Sequence, residues 1–241
     1  MPSEASRSRP KRSGGRRRRR LPAALVFDFD GLICDTESPE YEAVRRVYRE
    51  HGLELDLRDW LPWVGAVAPD WVAELESVVG RPLDRDTLQA ARRAHGHELL
   101  AAAGLLPGVL DLLDAARDAD VPCGVASNAS ARWVEGHLER LGVAERFAVV
   151  VSVDRVDRPK PDPDPYLLAS AALGADAVDA VALEDSSTGV AAARAAGLFT
   201  VAVPGPMSAH QDLSEADLVV ASLAAVTLDE LGARVAARAQ S

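Results

Sequence analysis

Two carboxylates, Asp28 and Asp30, stand two residues apart at the end of an apolar run, Leu25-Val26-Phe27, and Gly31 follows them. If the run is a buried strand, its period of two sends both acids to one side and Phe29 to the other. Gly31 then lets the backbone turn tightly or approach a ligand. Like charge crowded at the end of an apolar segment is costly unless a cation or a proton compensates it. An acid-x-acid pair is also an ordinary polar turn, so its meaning depends on distant segments.

Three such segments carry suitable groups. The stretch V-A-L-E-D-S-S-T-G-V at 181–190 repeats the first pattern, an apolar run ending in Glu184 and Asp185. Ser127 and Asn128 offer a hydroxyl and an amide that can hydrogen-bond phosphate oxygens, although both are also favoured helix caps. Lys160 lies between Pro159 and Pro161, which stiffen the chain around one cation. Four carboxylates gathered around one lysine demand a hard cation, and oxygen ligands from so few side chains suit Mg²⁺ with retained waters.

The elements that must bring these groups together follow from periodicity. Strands are expected over 122–126, 148–153, 178–183, 199–203 and 218–220, with helices over 108–118, 130–141, 165–173 and 189–196. Alternation of this kind implies right-handed crossovers and a parallel sheet, with ligands at the carboxyl ends of its strands. From about Ser38 to Gly104 the pattern is helical only, over Tyr41 to Tyr48, Leu57 to Val64, Asp70 to Val79 and Thr87 to Ala103, broken by Pro62, Gly65, Pro69, Gly80 and Pro82.

The segments D-F-D-G-L-I-C-D-T, S-N, P-K-P and E-D-S-S-T-G-V-A-A-A-R-A-A-G, in this order and spacing, resemble the four motifs of the haloacid dehalogenase-like superfamily. The helical insert resembles the cap of its β-phosphoglucomutase-like branch, and the likeness runs from about Leu25 to Val220. It implies an α/β fold: a Rossmann-like, doubly wound parallel sheet over 22–37 and 105–241, with a helical cap over 38–104. The basic tail over 1–21, which has few apolar residues to bury, is expected to be disordered. Asp28 is then the nucleophile and Asp30 the acid and base. Asp28, Asp185 and the Asp30 carbonyl would hold Mg²⁺, with Glu184 as a direct or indirect ligand. Ser127, Asn128, Lys160 and the backbone at Phe29 and Gly31 would cradle the phosphoryl group.

Asp30 separates two chemistries, because members that cleave carbon–halogen bonds resemble a pattern lacking the second acid. Phosphotransfer is therefore expected. In the mutase branch a histidine follows the first motif and an arginine follows the V-G of the cap. Here those places correspond to Glu40 and, beyond Gly65, Ala68, which are poor grips for a second phosphate. The expected activity is a phosphatase acting on a small phosphorylated metabolite, a sugar phosphate above all, with a β-phosphoglucomutase-type phosphotransferase as the alternative. Trp63, Trp71 and His95 are further candidates for lining the cap, and segments 34–38 and 103–107 for its hinges.

Composition bounds this reading. The 241 residues, 48% hydrophobic and 27% charged, describe a globular enzyme-sized chain with no apolar stretch long enough to span a membrane. Cys34 and Cys123 are too few for a disulfide framework, so a reduced, cytoplasmic protein is expected. A monomer is the separate expectation for assembly. Residues 1–20 hold nine Lys or Arg against one Glu, or +8, which leaves −18 for the rest of the net −10. A nucleic-acid-associated protein acting through this arginine-rich arm is the alternative of a different class. With so acidic a body, a nucleic-acid partner is not expected.

Overall fold

The computed structural model describes residues 20–64 and 70–240. Six parallel strands form one sheet: β1 (Ala24–Phe27), β2 (Cys123–Ala126), β3 (Val149–Val151), β4 (Ala180–Glu184), β5 (Phe199–Ala202) and β6 (Leu218–Val219), in the order β3-β2-β1-β4-β5-β6. Every residue of β1, β2, β4 and β5 is buried, as an apolar strand covered on both faces must be. Between β1 and β2 come α1 (Glu37–Glu50), α2 (Leu57–Trp60), α3 (Trp71–Val79), α4 (Arg85–Ala101) and α5 (Val109–Asp118). The remaining helices are α6 (Ala131–Arg140), α7 (Asp164–Ala172), α8 (Ser187–Ala195) and α9 (Leu228–Arg238).

Alternation along each strand builds two unlike cores. Leu25, Phe27, Val125, Val181, Leu183, Phe199 and Val201 point to the face covered by α5, α6 and α9. Ala24, Val26, Ala126, Ala180 and Ala182 point to the other, against α7 and α8, where small side chains let the helices lie close. The doubly wound sheet expected from the sequence is thus present. β1 pairs with β2 on one side and β4 on the other, so the carboxyl ends of these three strands meet at the centre of one edge.

Helices α1 to α4 bury a core of their own, including Val44, Val47, Tyr48, Trp60, Trp71, Leu75 and Leu88. The two chain segments linking this insert to the sheet run side by side: Cys34 bridges Leu105, and Leu106 N–H donates to Ile33 O at 2.9 Å. Pro62 divides the single helix expected over 57–64 into α2 and a 3-10 turn, Leu61–Trp63. β4 starts two residues later than expected because Ala177–Asp179 form another such turn. The sequence reading missed α9, although Thr227 accepts the Glu230 N–H at 3.2 Å, a capping arrangement with a T-x-x-E signature. Among the described residues no helix is long and apolar enough to cross a membrane.

Candidate active site at the centre of the sheet

Asp28 emerges directly from β1 and is tied to β4 by its N–H, which donates to Leu183 O at 2.8 Å. Lys160 reaches it from the loop after β3. Its ammonium donates to Asp28 Oδ1 at 2.6 Å, to Glu184 Oε1 at 2.6 Å and to Tyr166 Oη at 3.3 Å, with the lysine side chain 2% exposed. Burial alone would lower the lysine's pKa, but Asp28 and Glu184 outweigh it and raise the value, so the ammonium keeps its proton. Burial, reinforced by the neighbouring carboxylates and opposed by Lys160, pushes Asp28 upward; burial and Glu184 do the same to Asp185.

Glu184 is completely buried and fully engaged. The Tyr166 hydroxyl donates to the oxygen that holds Lys160, and the Asp185 N–H (3.1 Å) and Ser186 hydroxyl (3.4 Å) donate to the other. Asp185 accepts the Ser208 hydroxyl at 2.9 Å. The carboxylate oxygens of Asp28, Glu184 and Asp185 lie within 4.8 Å of one another. Three buried negative charges against one ammonium leave a balance of two, which the charge of one divalent cation closes. Hard oxygen donors of this kind fit Mg²⁺.

Asp30 faces the same cavity on different partners. The Thr36 hydroxyl (2.6 Å) and the Trp133 indole N–H (2.8 Å) both donate to its Oδ1, while the Ser127 hydroxyl lies 3.4 Å from Oδ2. Gly31 has φ +85°, and a Cβ there would strike the Asp185 carboxylate, so the turn needs glycine on both counts.

Two of the expected phosphate-binding groups are engaged within the protein. Gly31 N–H donates to Cys34 O at 2.9 Å and is already spent, whereas the N–H groups of Phe29 and Asp30 take no partner among the described residues. Asn128 turns its side chain to the Lys160 backbone, accepting its N–H at 2.9 Å and donating to its carbonyl at 3.1 Å. It clamps the loop that delivers the lysine.

Asp28, Asp30, Ser127 and Lys160 form the floor of a cavity of about 460 Å³. The opposite wall comes from the insert: Glu40, Trp60, Trp63, Trp71, Gln89 and Arg92. Glu40 is not the bare anion expected, because Arg92 forms an ion pair with it. His95 instead bonds Glu50 at 2.8 Å and does not line the cavity. Gly65 and Ala68 lie outside the described residues. Thr36, Arg92, Trp133, Tyr166 and Ser208 escaped the sequence reading. Cys34 and Cys123 are free and buried, and burial pushes the Cys123 thiol up to about 12, so both are packing groups.

A family model described as haloacid dehalogenase-like hydrolase matches residues 22–197. The YhcW protein of Bacillus subtilis (strain 168) is 37% identical over 216 residues, 88% of this chain and 98% of that one. A validoxylamine A 7'-phosphate phosphatase of Streptomyces hygroscopicus subsp. limoneus is 30% identical over 208 residues, 86% of this chain and 97% of that one. Among solved structures, CbbY from Rhodobacter sphaeroides in complex with phosphate superposes with a TM-score of 0.70 at 28% identity, covering 85% of this chain and 96% of that one.

Proposed function

The chain belongs to the haloacid dehalogenase-like hydrolase family, and from that premise we propose that it is a Mg²⁺-dependent phosphatase of small phosphorylated metabolites, sugar phosphates above all. One observation carries this: a buried nucleophile candidate, Asp28, held 2.6 Å from an ammonium, shares a cavity floor with a second acid, Asp30, that has separate supports.

In this reading the Asp28 carboxylate attacks phosphorus while the bond to the leaving oxygen breaks, and Asp30 gives that oxygen its proton. The phosphoryl group is now carried by Asp28 as an acyl phosphate, a mixed anhydride. Asp30 next takes a proton from water, whose oxygen attacks phosphorus, and the Asp28–phosphorus bond breaks to release inorganic phosphate. Lys160 and Ser127, with the backbone N–H groups of Phe29 and Asp30, hold the phosphoryl oxygens. Asp28, Asp185 and the Asp30 carbonyl would hold the metal. Glu184, whose oxygens already serve Lys160, Tyr166 and the backbone, would support it from behind. When bound, Mg²⁺ supplies positive charge against the phosphoryl oxygens.

The α1–α4 insert is the cap in this reading. It moves on the paired segments 34–38 and 103–107, excludes water during the first step, and presents its tryptophans to the organic part of the substrate. The test is phosphate release over a metabolite panel with Mg²⁺, using Asp28→Asn as the blank; equal release by that variant removes the assigned nucleophile. β-Glucose 1-phosphate belongs in the panel as the substrate that separates the two activities. Its conversion to glucose 6-phosphate without free phosphate would mark a mutase instead.

A further inference from the structure

We propose that Trp133 is a positioning residue for Asp30: its indole N–H, together with the Thr36 hydroxyl, fixes Oδ1 and leaves Oδ2 as the oxygen that exchanges the proton. The inference rests on the phosphatase reading and adds a division of labour between the two oxygens of one carboxylate.

The donors come from different parts of the molecule. Thr36 lies on the segment entering the insert, whereas Trp133 belongs to α6 of the sheet domain, three residues beyond its N-cap Ser130. The indole cannot swing freely, because it packs edge-on against His137 one turn along, with ring centroids 4.3 Å apart. Both short bonds, 2.6 and 2.8 Å, fall on Oδ1, while Oδ2 has the Ser127 hydroxyl at 3.4 Å and that hydroxyl's oxygen also accepts Ala129 N–H at 3.0 Å.

A carboxyl group protonated on Oδ2 still offers Oδ1 as an acceptor. The Trp133 and Thr36 bonds therefore survive both protonation states. As the phosphorus–oxygen bond breaks, the proton passes from Oδ2 to the leaving oxygen. In the second step Oδ2 recovers a proton from water, and neither donor needs to move. A carboxylate free to rotate would spend part of its time with no oxygen aimed at the leaving group, which is the loss that such positioning prevents.

The readout is dependence on the leaving group. An alkyl or sugar alkoxide needs the acid's proton to depart, whereas p-nitrophenolate does not. Trp133→Phe keeps a ring against His137 and removes the donor. It is expected to lower kcat/KM for a sugar phosphate by about tenfold or more, with a much smaller change for p-nitrophenyl phosphate. Thr36→Val, which removes the second donor, should give the same signature. Equal losses on both substrates in both variants would mark packing roles and overturn the proposal, as would unchanged activity on both. Absence of phosphate release by the unaltered protein would retire the phosphatase reading and this proposal with it. Activity in the unaltered protein without the leaving-group signature would retire only the proposal.

Discussion

The two walls of the cavity are built on opposite principles. The floor rests on charges that burial makes expensive: Asp28 and Lys160 at the cavity, with Glu184 and Asp185 packed beside them, each held by short bonds. The facing wall consists of three indoles on the insert's own core and one ion pair, Glu40 with Arg92, already neutralised. A lost partner on the floor leaves an uncompensated charge, while a lost ring opposite leaves space. The floor is therefore suited to invariant chemistry and the other wall to discrimination among organic groups.

The contrast breaks most severely at Asp28. In the proposed mechanism Asp28→Asn lowers phosphate release by about 10⁴-fold or more, measured as single-turnover release on the best substrate of the panel. Next comes removal of divalent metal by EDTA, expected to bring activity to the level of that blank and to be reversed by Mg²⁺. Lys160→Met strands Asp28 and Glu184 as buried, unpaired acids. It should cost about 3 to 5 kcal/mol of stability, read by urea unfolding, together with most of the activity. An ordinary surface-like loss below 1 kcal/mol would show that the floor tolerates imbalance.

A smaller effect is expected at the glycine that follows Asp30. Gly31→Ala carries about 1 to 2 kcal/mol of backbone strain and pushes Asp185 aside. Metal affinity should fall more than stability, as titration calorimetry with Mg²⁺ would show. The mildest change is Trp63→Ala on the facing wall, where an aromatic contact worth about 0.5 to 1.5 kcal/mol changes KM by about three- to tenfold and reorders the substrate panel. A collapse of kcat there would erase the distinction between the walls.

The same distinction governs what could be read in advance. Asp28, Asp30, Glu184 and Asp185 are legible because apolar runs that end in polar groups mark strand ends, and a parallel sheet brings those ends to one edge; Lys160, in a loop between two prolines, is legible only through the order of the four motifs. Trp133, Arg92, Tyr166 and Ser208 act through side chains whose aim depends on how each helix or loop is rotated against its neighbour, which no local pattern encodes. Asn128 shows the limit within a motif: one amide can cap a helix, bind an oxyanion or clamp a loop, and only its partner, Lys160, reveals which. Arg92 changes the meaning of Glu40 in the same way, across 52 residues of chain.

The bond from Lys160 to Asp28 spans 132 residues. Synthesis runs from the amino end, so the acids of β1 leave the ribosome long before the lysine that neutralises them, and Asp185 and Ser208 come later still. A nascent chain can fold its helical insert from contiguous residues, but its catalytic edge stays open until most of the protein has been made. Activity should thus arise late and all at once, when Lys160, Asp185 and Ser208 have joined the edge that β1 began.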